Sequence, residues 1–144
     1  HAQVSFQEQV LPIYSSRALN ERYYGVLQGL NKEDVAKDYG EEKVFKWRRS
    51  FSTRPPKGES LKDVYKRVVP YVNKHIFPML EVGKNLLVVG HGNTLRAVMK
   101  CVEKINDDDI ALVDLPFGHP LVYEYKEGQL KRIEGEYNMK RPLR

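Results

Sequence analysis

Asn85-Leu86-Leu87-Val88-Val89-Gly90-His91-Gly92-Asn93-Thr94-Leu95-Arg96 is the stretch on which the fold class turns. Its first five residues form an apolar run between glycines, too short for a helix, which predicts a parallel strand over 85–89 buried on both faces. The glycines on either side of His91 make a tight turn. Asn93 or Thr94 is then placed to cap a helix whose inner face carries Leu95, Val98, Met99 and Val102. Strand, glycine turn and helix in that order predict an α/β fold.

Upstream, Ser60-Leu61-Lys62-Asp63 has capping-box spacing. It opens a long helix with Leu61, Val64, Tyr65, Val68, Val72 and Ile76 on one face, kinked at Pro70. Pro55 and Pro56 make 52–58 a surface connection. Two shorter helices precede it, over 31–39 between an Asn31 cap with Asp34 and a terminating Gly40, and over 41–51. Residues 20–29 read as an irregular loop, 13–19 as a short strand, and 2–11 as the end of an amphipathic helix stopped by Pro12. Downstream, the pattern predicts a helix over 107–112, a turn at 116–120, and a hairpin of 121–126 with 130–134 across Glu127-Gly128.

The chain of 144 residues is the size of one domain, read as spanning 1–144 with 135–144 a flexible tail. With 41% hydrophobic and 30% charged residues it has globular composition, which excludes intrinsic disorder as a class. No apolar run approaches the roughly 20 residues of a membrane helix, and no signal-peptide pattern occurs. The lone cysteine, Cys101, fits a reducing cytoplasm, and no Cys/His spacing suggests zinc. A net charge of +5 attracts anionic ligands but lacks the concentrated basic patches of a nucleic-acid binder. Phosphorylated metabolites are therefore the expected partners, with neither nucleic acid nor membrane.

Three groups of residues could carry chemistry. His91 stands where a strand feeds a helix, the place where open α/β sheets bind ligands and where helix N-terminal amides favour phosphate. Spacing alone leaves it either a packed turn residue or a nucleophile, acid/base or phosphoryl stabiliser. The segment lacks the Gly-Lys-Ser/Thr ending of a nucleotide-binding loop. Trp47-Arg48-Arg49 carries two arginines about 100° apart on a helix, able to grip a polyanion or simply to form a solvated basic patch. In Asn20-Glu21-Arg22-Tyr23-Tyr24-Gly25, Glu21 is the acid/base candidate, with a surface Glu–Arg pair as the plainer reading.

Together these stretches resemble the cofactor-dependent phosphoglycerate mutases of the histidine phosphatase superfamily. The resemblance runs in order through Leu19-Asn20-Glu21-Arg22-Tyr23-Tyr24-Gly25, Gly29-Leu30-Asn31-Lys32, Trp47-Arg48-Arg49-Ser50, Gly58-Glu59-Ser60-Leu61 and Gly90-His91-Gly92-Asn93-Thr94-Leu95-Arg96. It implies a three-layer α/β/α fold with a mostly parallel central sheet. It also implies interconversion of 3-phosphoglycerate and 2-phosphoglycerate through a phosphohistidine, primed by 2,3-bisphosphoglycerate without a metal. Carried over, the pattern makes Glu21 and His91 catalytic: Glu21 exchanges the substrate's hydroxyl proton and His91 stabilises the transferring phosphoryl. Arg22, Tyr24, Lys32, Arg48, Arg49, Gly92 and Asn93 would bind small phosphorylated carboxylic acids.

The sequence departs from that family in one chemical respect. The family's nucleophilic histidine lies in an Arg-His-Gly motif at the end of its first strand, and no Arg-His-Gly occurs in this chain. The resemblance implies that this strand and motif would precede His1, so that the chain alone would be inactive. Tyr23 also stands where many relatives carry His. The connection from Phe51 to Gly58 is shorter than in longer members, which leaves homo-oligomerisation open. Two further readings stand beside the mutase: a phosphatase on the same scaffold, and a non-catalytic polyanion-binding fragment.

Overall fold

A computed structural model of the chain describes residues 11–139, so the helix expected over 2–11 and the basic end 140–144 lie outside the described residues. Among the described residues the first α-helices are α1 (Lys32–Tyr39) and α2 (Glu41–Arg49), after 3-10 turns at Arg17–Leu19 and Gly25–Leu27. The Asn31 side chain accepts from the Glu33 amide, and Gly40, at φ 85°, ends one helix and begins the next. Val35, Val44 and Trp47 bury against each other, and the Tyr39 ring meets Trp47 edge-on at 5.3 Å.

The helix α3 (Leu61–Tyr71) starts at the capping box the sequence predicts, since Ser60 accepts from the Asp63 amide and Asp63 from the Ser60 amide. Pro70 offers no N–H to the helix ladder, and the chain passes at once into a π turn at Val72–Ile76 before α4 (Phe77–Glu81). The buried stripe is Leu61, Val64, Val68 and Val72, with Tyr65 and Ile76 partly buried beside it. It packs on α5 (Gly92–Val102), which contributes Ala97 and Met99, while Phe51, Ile110 and Val113 close the main core.

The remaining elements are α6 (Asp109–Leu112), β1 (Val113–Asp114), β2 (Val122–Lys126), β3 (Gln129–Glu134) and β4 (Asn138–Met139). β2 and β3 form the expected hairpin, turned by Glu127 and Gly128, both at positive φ as a type I′ turn requires. β1 pairs antiparallel with β4, so part of the segment expected as tail is held by the body of the protein. Among the described residues no helix is long and apolar enough to cross a membrane.

Three expectations need correction. Residues 85–89 do not form a strand buried on both faces: Leu86 and Val88 are partly buried while Leu87 and Val89 are 88% and 79% exposed. A strand exists only where a neighbour takes its N–H and C=O groups, and among the described residues none lies alongside. Both two-stranded sheets among the described residues are antiparallel. Residues 13–19 form no strand either; 11–16 are irregular and Arg17–Leu19 is a 3-10 turn capped by the Ser16 side chain. Finally, α5 begins at Gly92 with His91 as its cap residue, because Asn93 and Thr94 turn their side chains to other partners.

Candidate active site

Glu21 lies in a loop without regular structure, and tertiary hydrogen bonds hold it. One carboxylate oxygen accepts from the Arg22 amide at 2.6 Å and the other from the Asn93 amide at 3.4 Å. The first turn of α5 therefore reaches across to the loop through a free helix N-terminal N–H, the kind of donor that favours an anion. Thr94 reinforces the junction by donating its hydroxyl to the Asn20 carbonyl at 2.8 Å.

Glycine allows the loop to sit this close to its neighbours. Gly25 has φ +63°, and a Cβ there would overlap the backbone at Pro56, Lys57 and Gly58. The Val26 amide also donates to the Pro56 carbonyl at 3.1 Å. The double-proline connection is thus one wall of the loop's seat as well as a surface link.

Beside Glu21, Arg22 is only 1% exposed. Its guanidinium stacks on the Tyr24 ring at 4.4 Å and gives one bond, from Nη2 to the Arg48 carbonyl at 3.3 Å. Its Nε and Nη1 have no hydrogen-bond partner among the described residues. Buried charged donors left unpaired are costly, and an incoming anion relieves that cost. The Tyr24 hydroxyl accepts from Asn93 Nδ2 at 3.1 Å. Burial pushes the Tyr24 phenol up, but Arg22 and Asn93 outweigh it and leave its pKa below the ordinary tyrosine value.

His91 is exposed and lines an open cavity of about 620 Å³ together with Leu19, Asn20, Glu21, Val89 and Gly90. The structure thus brings both proposed catalytic residues to one hollow. Gly92 follows His91 in the chain, with open space where a Cβ would stand. The other candidates are arranged differently. Arg48 contributes its carbonyl to Arg22. Arg49 turns its guanidinium away to α6 and β1, donating to the carbonyls of Ala111, Leu112 and Val113 and pairing with Asp114 at 3.3 Å. Lys32 is exposed at the first residue of α1.

Sequence reasoning missed Arg96. It is 4% exposed, donating from Nη1 to Asn93 Oδ1 at 3.2 Å and from Nη2 to the Arg49 and Ile110 carbonyls. Burial lowers its pKa, and repulsion from Arg49 and Arg22 adds to the effect, bringing it to about 9, still charged at neutral pH. With its oxygen held by Arg96, Asn93 can only present its NH₂ to Tyr24. The available signal was an arginine on the apolar face of α5, three residues after Asn93. Among the described residues no group of three or more His, Cys, Asp or Glu could hold a metal ion. An anionic ligand is what the unpaired Arg22 donors fit.

Comparison with known proteins agrees with the geometry. Residues 2–134 match the histidine phosphatase superfamily, branch 1. The chain is 52% identical over 122 residues to a 2,3-bisphosphoglycerate-dependent phosphoglycerate mutase of Methanococcus vannielii, covering 85% of this chain and 52% of that protein. It is 48% identical over 130 residues to the same-named protein of Methanosarcina acetivorans, covering 90% of this chain and 52% of the relative. It is 48% identical over 120 residues to that of Chlamydia muridarum, covering 83% and 53%. The chain spans about half the length of the curated relatives it matches. With a family match over nearly its whole length and a glutamate and histidine meeting at one cavity beside a buried arginine, the chain belongs to the histidine phosphatase superfamily, branch 1.

Proposed function

We propose that this chain forms the acid/base and anion-binding part of a 2,3-bisphosphoglycerate-dependent phosphoglycerate mutase. The reaction is the isomerisation of 3-phosphoglycerate and 2-phosphoglycerate through a phosphohistidine. Its main support is that Glu21 and His91 line one cavity, while Arg22, the chain neighbour of Glu21, is buried with two guanidinium N–H groups unpaired among the described residues. The names and identities of the relatives point the same way.

In this reading Glu21 takes the proton from the substrate hydroxyl that is gaining a phosphoryl group and returns one to the hydroxyl that loses it. Its carboxylate is oriented for this by the Arg22 and Asn93 amides. Arg22 donates Nε and Nη1 to the substrate's phosphate or carboxylate, and the stacked Tyr24 flanks the same anion. Arg48 and Lys32 add positive charge, while Arg49 would exchange some of its present bonds for a ligand. His91 donates to the transferring phosphoryl, with Gly92 and Asn93 against the phosphate. Phosphoryl transfer is mostly positioning and charge stabilisation, which fixed cationic donors supply. 2,3-Bisphosphoglycerate, the primer in this reading, is an anion that the Arg22 donors also fit. The phosphorylated histidine is assigned to no residue of this chain, which has no Arg-His-Gly.

We also read the full-length protein as three-layer α/β/α with a mostly parallel central sheet that 85–89 would join as a strand. The alternating exposure of Leu86, Leu87, Val88 and Val89 supports this, because period two is the signature of an extended chain with one face covered. A cytoplasmic setting suits the single Cys101. The deciding experiment gives 3-phosphoglycerate and catalytic 2,3-bisphosphoglycerate to the full-length protein and follows 2-phosphoglycerate and free phosphate together. We expect 2-phosphoglycerate to dominate. Dominant phosphate release means a phosphatase, and binding without turnover means a polyanion-binding protein.

A further inference from the structure

The loop that carries Glu21 and Arg22 has no helix or strand to define it, so something else must satisfy its backbone. Two side chains outside the cavity of Glu21 and His91 do much of this. Arg67, on α3, donates from Nη1 to the Ala18 carbonyl at 2.8 Å and from Nη2 to the Glu21 carbonyl at 3.2 Å. Glu59 accepts from the Tyr23 amide at 3.0 Å, and its own amide donates to the Tyr23 carbonyl at 2.8 Å. The pair is joined in a fork, Arg67 Nε to Glu59 Oε1 and Nη2 to Oε2, both at 3.2 Å. Ala18, Glu21 and Tyr23 are thereby gripped on both sides of Glu21, by groups anchored to the helix that forms the main core.

We propose that Glu59 and Arg67 are positioning residues that hold the backbone at Glu21 and Arg22 in its working shape; this rests on the functional reading above. The chemistry demands this pair of residue types. A guanidinium is a planar fork that reaches a carboxylate and two carbonyls at once, whereas a lysine ammonium is one point on a flexible stem. Glutamate serves both partners, accepting the Tyr23 amide while it orients Arg67. Burial works against the Glu59 carboxylate, but Arg67 and the Tyr23 amide more than compensate and hold its pKa below the usual glutamate value. A simple anchoring ion pair would behave differently. The two side chains are partly buried, Arg67 24% and Glu59 30% exposed, and apart from each other their hydrogen bonds go to the loop. The effect of the pair should therefore concentrate on the loop.

The test uses the full-length protein with Arg67→Lys and, separately, Glu59→Gln. The first reading is amide hydrogen exchange: exchange at Arg22 and Tyr23 should quicken by about 10-fold or more, with the α5 amides from Arg96 onward unchanged and the thermal midpoint nearly unmoved. The second is steady-state kinetics, where kcat for 3-phosphoglycerate should fall by about 10- to 100-fold at nearly constant KM, as expected for a misplaced acid/base. Parental exchange and kcat in both variants overturn the proposal, as does a loss spread evenly over the whole molecule. If the parent protein does not isomerise 3-phosphoglycerate, the functional reading fails, and the exchange measurement still decides whether the pair holds the loop.

Discussion

Residues 20–24 and 85–89 both lack regular secondary structure, yet the first group is pinned and the second is not. In the former, Glu21 holds the Asn93 and Arg22 amides, Glu59 the Tyr23 amide, Arg67 the Glu21 carbonyl and Thr94 the Asn20 carbonyl. In the latter, an apolar run with the composition of a core strand leaves Leu87 and Val89 in solvent. Order here follows partners and not composition. A polar loop brings side-chain partners from α3 and α5, while an apolar strand depends on a neighbouring backbone and on cover for both faces.

The largest effect expected is on the pinned side. Glu21→Gln in the full-length protein should lower turnover by roughly 10²–10⁴-fold while largely sparing substrate binding, since the amide keeps an acceptor but loses the base. Turnover at the parental level would reduce residues 20–24 to a structural seat. On the unpinned side, Leu87→Asp in the full-length protein should cost about 3 kcal/mol in urea unfolding if 85–89 completes a sheet there. A change within about 0.5 kcal/mol would mean that the run stays as exposed as it is here, breaking the three-layer reading. The smallest effect tests locality. The Arg54 guanidinium, with Ser60, holds Asp63 well below the usual carboxylate range despite partial burial. A depressed folded pKa means the stabilisation is complete above about pH 5 and drains away on acidification below it. Asp63→Ala should therefore cost about 1 kcal/mol at pH 7, with the difference from the parent shrinking by pH 3. Turnover per folded molecule should stay within about 2-fold of the parent, because Asp63 hydrogen-bonds Arg54 and Ser60 and neither Glu59 nor Arg67.

The local parts of the fold were legible because each rests on residues near in sequence. Asn31 and Gly40 bound α1, Ser60 and Asp63 open α3, and Glu127-Gly128 turns the hairpin. The apolar stripe from Leu61 to Val72 was equally plain, since helical period alone puts it on one face. The illegible parts depend on distant residues. Nothing near Arg49 in sequence shows that it ties α2 to α6 and β1, 62 to 65 residues onward. Arg96 gave little sign of itself because a buried arginine is unusual on an apolar helix face. Asn93, read as a helix cap, holds Tyr24 across 69 residues.

By itself the sequence determined the main helices, the caps at Asn31 and Ser60, the hairpin and the pairing of residue types that marks Glu21, Arg22 and His91, because capping, period and glycine turns act over a few residues. Tertiary structure alone decided that Glu21 and His91 share one cavity, that Arg22 is buried with donors to spare, and that Arg67 and Glu59 grip the loop between them. The physical reason is that a hydrogen bond between residues dozens of positions apart leaves no periodic trace in the chain; it exists only once helix packing has brought its two ends within about 3 Å.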